Sequence, residues 1–477
     1  MVIESLKEKK LEAFLLLILF SVVVSRFLYI SNYAATWDQV DFALALDWFD
    51  LRQMQPHFPG YPYFILGGSL IHQWISDPIE ALVILNKIMF TLSIIPMYGL
   101  ARAYINRVHS LVAVLVWQSL PYGFVLTSLP MSEAMAISIF WWYLWFLHKA
   151  ILKPTWSNHI ILVLIFSVLM GIRISYIPVG VGLVFLWLYE LKQNRSKLKI
   201  IFMFLLTIIS QFIWIGALII SEGSLENFIE LALGFTGGHF SEWGVDINRP
   251  IYERIGLTLY HFTWSALSTH NWVLLLVWTL IILRAFLSKN RLGNPFGFCL
   301  TLLGVSYFLW VIFGQNVEKA RHLAPLLLLL TFWAVIVILK ASSKKTISLL
   351  LITIMIQSLV GVFLMKEQKE EVPATIQLVE YLDSLDDKKV VYAWEEIRMM
   401  DYYKSSFPYK RVYSFPIFAN DRLYYKDSTI YLTDHVVNGF KLQGIGVEEH
   451  LRKIQSFQSN PLFDQVYYEI TLYEWID

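Results

Sequence analysis

The chain has little cysteine and little charge. Its 477 residues include one cysteine, Cys299, which excludes an internal disulfide and a metal site built from several cysteines. Only 16% of the residues are charged, and the formal net charge at pH 7 is +1. That balance offers no surface for a polyanion, so we expect no nucleic-acid partner.

Hydrophobic residues make up 57% of the chain and come in blocks too long for a soluble core, which indicates a polytopic membrane protein. The first block follows MVIESLKEKK and lacks a small-residue cleavage site, so it predicts an uncleaved first span. Together the blocks predict about eleven membrane helices, two of them short. The ten later blocks cover roughly 81–104, 108–126, 134–152, 160–169, 178–188, 199–220, 272–287, 296–313, 323–339 and 347–365.

Lysine and arginine cluster in short connectors that fall on one side if the spans alternate. Positive connectors face the cytoplasm, so the N-terminus is predicted to be cytoplasmic and the first outer loop, 31–78, extracytoplasmic. We expect a multi-pass protein of the cell membrane. The connectors lie at 7–10, 102–107, 149–153, 192–199, 289–291 and 340–345.

The first polar gap, TWDQVDFALALDWFDLRQMQPHFPGYPY, contains four aspartates. Its first part lacks glycine and proline, which predicts a helix with Asp38 and Asp41 on neighbouring faces. We expect PHFPGYP to stop that helix, because each proline removes a backbone donor and fixes its own φ. Asp47 and Asp50 are expected to lie at the surface.

Asp38 is the candidate catalytic residue. A membrane-interface environment is expected to raise its pKa, which suits a general base that takes a proton from an acceptor hydroxyl. The alternative is a solvated loop aspartate or a helix cap. Asp41 either assists Asp38, binds the acceptor or faces water. His57, in the proline turn, either hydrogen-bonds the sugar or phosphate or packs without a role.

Candidate phosphate ligands lie before and within the later spans. Arg321 and His322 begin a helix on the predicted outer side, with Lys319 just before them. Arginine offers a planar fork that matches phosphate, and a helix start adds a positive dipole end. Arg173, in MGIRISYIP, is flanked by apolar residues and needs an anion or water. The alternative for Arg321 is an arginine that extends to the lipid headgroups.

From residue 372 the composition changes. VPATIQLVEYLDSLDD predicts a helix, four segments (KKVVYAW, KRVYSF, STIYLTDHV and QVYYEITLYEW) predict strands, and 447–457 predicts a second helix. We therefore divide the chain into a membrane region, 1–365, and a small extracytoplasmic α/β domain, 366–477. This domain lacks basic runs and a glycine-rich phosphate loop, so we expect a lid, an acceptor-binding module or a purely structural unit.

The membrane region resembles the GT-C superfamily of glycosyltransferases, which use lipid-linked sugars. An acidic residue soon after the first span and the PHFPGYP turn are similar to its protein-mannosyltransferase-like and bacterial lipid-linked-sugar transferase-like members. LARAYINRVHSLVAVLVWQSLPYGFVLTSLPMSEA looks like the second and third spans and second outer loop of that group, and ARHLAPLLLLL looks like the start of a late helix. The resemblance extends to about residue 365 and implies a mainly α GT-C bundle.

The resemblance implies transfer from a polyprenyl-phosphate sugar to a glycan, lipid or protein acceptor, with inversion and no stable covalent intermediate. Some relatives use a metal and others do not, so a divalent cation stays open as a cofactor. Many relatives have an Asp-Glu pair where this chain has Asp38 and Gln39, and Asp41 is the alternative second carboxylate. Glu133, in LPMSEA, matches a position that is often acidic and faces the active cavity; the alternative is helix capping.

Two other classes of function stay open. A transporter or lipid flippase also has many spans and interior charges, but the chain shows no internal repeat of broken helices. A water path with charges at the bilayer centre would favour that class. A non-catalytic assembly or sensor protein would lack a cavity around Asp38.

Overall fold

The computed structural model describes residues 2–243, 245, 249–290, 292–341, 344–412 and 414–476. Position 291, in one of the predicted basic connectors, lies outside the described residues. Helices form the chain as far as Glu370, and a five-stranded sheet with four helices follows.

The described α-helices before the sheet are α1 Val2–Arg26, α2 Trp37–Asp47, α3 Pro62–His72, α4 Pro78–Leu92, α5 Ile94–Arg102, α6 Arg107–Gln118, α7 Pro121–Thr127, α8 Glu133–Leu152, α9 Trp156–Ile172, α10 Val181–Lys192, α11 Lys197–Ser221, α12 Leu225–Gly238, α13 Ile251–Tyr260, α14 Trp272–Leu287, α15 Pro295–Gly314, α16 Ala324–Lys340 and α17 Lys344–Glu370. A short 3₁₀ segment, Ala320–Leu323, precedes α16.

Seven of the described helical segments are long and apolar enough to cross a membrane, and the number is nine if each of two bent pairs counts as one span. The bent pairs are α6 with α7, at 55°, and Ile251–Leu267 with α14, at 105°. The chain is thus a multi-pass membrane protein by helix length and composition. The predicted count of eleven spans is not confirmed.

A buried polar network fixes the chain between α1 and α2. The ammonium of Lys87, on α4, donates to the carbonyl oxygens of Arg26, at 2.7 Å, and Tyr29, at 2.8 Å. The Arg26 guanidinium in turn donates to the carbonyl oxygen of Gln118, at 2.6 Å. Buried polar groups need such partners because desolvation without them is costly. The network holds the end of α1, and with it the start of the first loop.

The predicted helix in the first loop is confirmed as α2. The Thr36 side chain accepts from the Gln39 amide, and Gln39 Oε1 accepts from the Ala35 amide at 2.8 Å, a reciprocal arrangement close to a capping box. The expectation that PHFPGYP stops this helix is wrong. The helix ends at Asp47, where Trp48 adopts an extended conformation, and Asp50 then caps a separate 3₁₀ turn.

The C-terminal part contains α18 Ala374–Ser384, α19 Ile397–Tyr403, α20 Phe415–Asp421, α21 Asp434–Leu442 and five strands: β1 Lys389–Ala393, β2 Tyr409–Arg411, β3 Thr429–Thr433, β4 Leu451–Gln458 and β5 Glu469–Trp475. The strand order is β2-β1-β3-β5-β4. β1 is parallel to β2 and β3, and β5 is antiparallel to β3 and β4.

The prediction of a helix at 447–457 is wrong. A short 3₁₀ turn, Glu448–His450, is followed there by β4. Leu451, Ile454 and Phe457 are spaced three apart, which fits a helical stripe as well as an irregular strand. The segment forms a strand because it pairs with β5 in antiparallel orientation. A register shift between Lys453 and Gln455 accommodates the irregular spacing.

The sheet region packs directly against the first loop. Val40 and Ala43, on α2, belong to the same buried cluster as Leu378, on α18, and Met399, on α19. α17 runs to Glu370, across the predicted domain boundary at 366, and that boundary stays a prediction. Because the C-terminal helices cover one face of α2, they help to orient the aspartates that α2 carries.

A charged cluster joins two helices of the C-terminal part. His435 Nδ1 lies 2.7 Å from Glu396 Oε1 and 3.5 Å from Asp434 Oδ1. Burial alone would lower the pKa of His435, but Glu396, Asp434 and Glu395 outweigh that effect and raise the pKa to about 9. The imidazole is therefore a cation at neutral pH and links the start of α21 to the residue that precedes α19.

We predict that His435 stabilises the protein below neutral pH and loses this effect in mild alkali. Its folded pKa of about 9 lies above the ordinary value of 6.5, so the stabilisation is full below about pH 6.5 and fades as the pH rises through about 9. His435→Gln should lower the unfolding midpoint of the full-length protein at pH 6.5 and have little effect at pH 10. His450→Gln, at an exposed histidine, is the control. An equal loss at both pH values would contradict this assignment.

Candidate active site

A chain of ion pairs joins four segments that are distant in sequence. Arg321 Nη2 lies 2.9 Å from Asp38 Oδ2, and Arg321 Nε lies 2.9 Å from Glu133 Oε1. Arg173 Nη2 lies 3.0 Å from the same Glu133 oxygen, and its Nη1 donates to Ser132 Oγ at 3.0 Å. The structure thus brings together Asp38, Glu133, Arg173 and Arg321, all predicted site residues.

Each of these side chains comes from the end of a helix. Asp38 is in the first turn of α2, Glu133 begins α8, Arg173 follows the end of α9, and Arg321 lies in the 3₁₀ segment before α16. The helix dipole favours acidic side chains at the N-termini of α2 and α8 and a cation at the C-terminus of α9, whereas Arg321, before the N-terminus of α16, depends on its carboxylate partners. The four helix ends therefore gather charge into one small region.

Glu133 binds two guanidinium groups, which goes beyond helix capping. Ser132, at the N-cap of α8, makes no side-chain capping hydrogen bond, and its hydroxyl instead accepts from Arg173. The Glu133 side chain is 2% exposed. A buried carboxylate needs charge compensation, and Arg173 and Arg321 together supply it. Glu133 therefore holds both arginines in place.

The expectation of a raised pKa for Asp38 is wrong. Burial favours the protonated form, but Lys319, His57, Arg321 and Arg173 outweigh it and hold the pKa of Asp38 below its ordinary value. The side chain keeps 30% of its surface exposed. Asp38 is thus an ionised, partly accessible carboxylate next to the arginine chain.

Asp41 belongs to a second, more deeply buried group. Its side chain is 0% exposed, and Arg398 Nε, from α19, donates to its Oδ1 at 2.8 Å. His57 Nδ1 donates to Oδ2 at 3.2 Å, and His57 Nε2 lies 2.9 Å from the Tyr61 hydroxyl. Burial raises the pKa of Asp41, and His57 and Arg398 counteract that effect. The alternative that Asp41 faces water is therefore wrong.

The remaining predicted site residues differ in their partners. Both nitrogens of His57 have partners within the protein, and His322 Nδ1 donates to the carbonyl oxygen of Asn316 at 3.0 Å. Lys319 is partly buried, and its ammonium group makes no hydrogen bond or ion pair with any residue that the structure describes. Substrate binding by the two histidines stays a prediction. Lys319 has an ammonium group that is available to an anion.

Arg398 is a residue of this region that no sequence motif indicated. It lies in a short helix of the C-terminal part and also donates to the backbone oxygens of Gln53 and Met54, at 3.0 and 3.2 Å. Its guanidinium lies 5.4 Å from the ring centre of Trp37, next to Asp38. No local sequence pattern distinguishes it from other surface arginines, because Asp41, Gln53 and Met54 are more than 340 residues away in sequence.

The carboxylates of Asp38, Asp41 and Glu133 are poorly placed to bind a metal. Asp38 and Glu133 both contact Arg321, and Asp41 contacts Arg398, so a hard cation at these oxygens would have to displace an arginine. Across the described residues, the one close group of three carboxylate or histidine ligands is Glu396, Asp434 and His435. Protonated His435 offsets part of the negative charge of that group and has no free nitrogen lone pair for a metal, so neither set fits a divalent cation well.

An apolar cavity adjoins the arginine chain. Its lining includes Tyr122 and Ala324, at the start of α16, and the side chain of Tyr122 also bonds to Gln465 from the C-terminal part. Further lining residues are mostly aromatic or aliphatic, and the cavity has a volume of about 30 Å³. They include Phe90, Trp117, Leu126, Trp141, Leu327 and Leu328.

Comparison with known proteins gives one family match and several similar folds. Residues 55–216, about a third of the chain, match the family described as dolichyl-phosphate-mannose-protein mannosyltransferase. No curated protein matches the chain by sequence.

Among solved structures, the chain is similar to ArnT from Cupriavidus metallidurans. The form bound to undecaprenyl phosphate has a TM-score of 0.57 and 8% identity, over 97% of both chains. The apo form has a TM-score of 0.58 and 9% identity, over 97% of this chain and 98% of that one. The apo oligosaccharyltransferase from Archaeoglobus fulgidus has a TM-score of 0.50 and 11% identity, over 88% of this chain and 69% of that one.

These similarities confirm the predicted resemblance to GT-C glycosyltransferases. At such low identity the solved structures establish the fold and leave the substrates open. The family match supports a glycosyltransferase and covers α3 to most of α11, a stretch that includes Glu133 and Arg173.

We predict that Arg398→Ala destabilises the full-length protein by about 3 to 5 kcal/mol, because it leaves the buried Asp41 carboxylate without its guanidinium partner. Arg452→Ala, which removes an exposed ion pair with Glu474, should cost less than about 1 kcal/mol. The measurement is the free energy of unfolding in detergent. Adding Asp41→Asn to Arg398→Ala should recover part of the loss, since the unpaired charge is then gone. Strictly additive losses would contradict the pairing.

Proposed function

We propose that this protein is an integral-membrane glycosyltransferase. It moves a sugar from a polyprenyl-phosphate-linked donor to a hydroxyl group of a glycan, lipid or protein acceptor on the extracytoplasmic side, with inversion at the anomeric carbon. The observation that carries the proposal is the contact between Asp38 and Arg321, with Lys319 close by, whose ammonium has no partner in the described part of the chain. One site then holds a base for the acceptor and cations for the leaving phosphate.

The donor phosphate binds Lys319 and Arg321 in this proposal. Arginine presents two donors that match phosphate oxygens, and Lys319 adds a point charge. The N-terminus of α16 lies beside them and contributes the positive end of its dipole. The undecaprenyl phosphate in the ArnT structure, which has a similar fold, supports a lipid phosphate as the ligand.

The reaction is a single displacement. The acceptor oxygen forms a bond to the anomeric carbon as the bond from that carbon to the phosphate oxygen breaks. The electron pair of the broken bond stays on the phosphate, where Arg321 and Lys319 stabilise the negative charge. The proton of the acceptor hydroxyl goes to Asp38. Attack opposite the leaving phosphate inverts the anomeric carbon.

Arg321 couples donor binding to the state of Asp38. In the structure described here the guanidinium is shared by Asp38 and Glu133, so an arriving phosphate competes with Asp38 for it. Once Arg321 binds the phosphate, Asp38 loses a stabilising partner and its pKa moves back towards the ordinary range. Asp38 thus becomes a stronger base when the donor is present.

Glu133 and Arg173 support the phosphate-binding residues. Glu133 fixes the positions of both arginines, and Arg173 adds positive charge next to the leaving group. His57 and His322 border the same region and are proposed as further substrate contacts. Asp41 acts indirectly, because its bonds to His57 and Arg398 hold α2 in place. The positive connectors at the other ends of the helices favour an extracytoplasmic position for this end of the bundle.

We predict that Asp38→Asn lowers sugar transfer at least about a hundredfold, the usual contribution of a general base. The assay uses membranes that contain the full-length protein and a panel of undecaprenyl-phosphate sugars, with release of undecaprenyl phosphate as the readout. Asp47→Asn, on the same helix with a largely exposed side chain, is the control and should keep full activity. Near-normal turnover of Asp38→Asn at equal expression would remove Asp38 from this role.

We also predict that Lys319→Ala weakens binding of undecaprenyl phosphate about tenfold or more, because one hydrogen bond to a charged group is lost. The dissociation constant is measured by titrating purified protein in detergent. Lys366→Ala, at an exposed lysine paired with Glu370, should leave the dissociation constant unchanged. If both variants bind undecaprenyl phosphate equally well, the phosphate does not contact Lys319.

A further inference from the structure

The loop between β4 and β5 extends from the sheet into the helical region. The Asn460 amide donates to Glu371 Oε2 at 3.0 Å, and Asn460 Nδ2 donates to Glu367 Oε1, on α17, at 2.9 Å. Leu462 is buried in the same hydrophobic core as the membrane helices. This loop, 459–468, is therefore anchored to the membrane region at several points.

The loop also contacts the proposed phosphate-binding segment. Gln465 Oε1 accepts from the backbone amide of Ala320, at 3.0 Å, and Ala320 lies between Lys319 and Arg321. The Gln465 side chain bonds to Tyr122 at the edge of the apolar cavity as well. Asp464, the preceding residue, is therefore held next to the site.

Asp464 has one carboxylate oxygen that the fold uses and one that it does not. Oδ1 accepts from the backbone amides of Val466, at 3.0 Å, and Tyr467, at 3.1 Å. Oδ2 is buried and has no hydrogen-bond partner among the described residues, and the residue as a whole is 7% exposed. A buried oxygen without a partner costs free energy, so Oδ2 leaves one favourable hydrogen bond unmade.

The surroundings of Asp464 restrict what can fill that position. Lys319 and Arg321 are the charged side chains that act on it most strongly, while burial raises its pKa. A phosphate next to Oδ2 would meet like charge, and an ammonium group would meet the two cations. A neutral hydrogen-bond donor avoids both penalties. A hydroxyl group therefore fits best.

The geometry points to Asp464 as an acceptor-binding residue: its Oδ2 receives a hydrogen bond from a second hydroxyl group of the acceptor, beside the one that reacts. The inference rests on the proposed function, in which Asp38 already receives the proton of the reacting hydroxyl. It predicts that natural acceptors are polyols, such as a sugar residue or a glycerol group. The C-terminal part then contributes directly to acceptor selection.

The test compares acceptors with one and with several hydroxyl groups. Purified full-length protein is given the undecaprenyl-phosphate sugar that it hydrolyses best, together with glycerol, methanol or water alone as the acceptor. Asp464→Asn keeps an oxygen for the Val466 and Tyr467 amides and removes the second carboxylate oxygen. We expect transfer to glycerol to fall about tenfold or more, with transfer to methanol and water unchanged. Asp427→Asn, at an exposed aspartate of the same domain, should change none of these rates.

Other outcomes separate the possible failures. If the wild-type protein releases no undecaprenyl phosphate from any sugar donor, the proposed function itself is wrong. If Asp464→Asn lowers all three reactions equally, Asp464 has a structural role. A higher KM for the donor in water alone would mean that Oδ2 binds the donor sugar. Asp464→Ser, which also keeps a turn-capping oxygen, repeats the comparison, and undecaprenyl phosphate binding verifies that each variant is folded.

Discussion

The site depends on charge compensation around one guanidinium group. Arg321 neutralises Asp38 on one side and Glu133 on the other, and Glu133 also binds Arg173. Each charge would be costly to bury alone, but alternating signs in contact reduce that cost. The same alternation ties together the start of α2, the start of α8, the end of α9 and the segment before α16. The four helix ends are therefore linked by ion pairs as well as by packing.

The C-terminal part is joined to this site by two separate connections. Arg398 reaches the buried Asp41 under α2, and the 459–468 loop reaches the segment that carries Lys319 and Arg321. Both connections involve buried polar atoms, whose rupture leaves groups without partners. A rigid attachment of this kind is unlike that of a lid, which needs a weakly bound hinge to open. Of the roles expected from the sequence, acceptor binding agrees best with such an attachment.

Part of this arrangement could be predicted from the sequence. Block lengths predicted a multi-pass protein, and a run without glycine or proline predicted α2. Charges near span ends, together with the GT-C resemblance, singled out Asp38, Glu133, Arg173 and Arg321. The pKa of Asp38 could not be predicted, because its main determinants lie up to 283 residues away. Arg398 and Asp464 could not be found either, since each is an ordinary charged residue in an ordinary α/β sequence. The strand at 451–458 was missed because its apolar spacing also fits a helix. Pairing with β5, which the local sequence does not show, makes this segment a strand.

Lys87 illustrates how far the site extends. Its ammonium group, enclosed by the backbone oxygens of Arg26 and Tyr29, determines where the chain leaves α1 and begins its approach to α2. Lys87 is distant in sequence from Asp38 and Asp41, yet it helps to fix the backbone that leads to both aspartates. A substitution of Lys87 would therefore lower activity much as a substitution within the site would, although no group that takes part in the reaction had been removed.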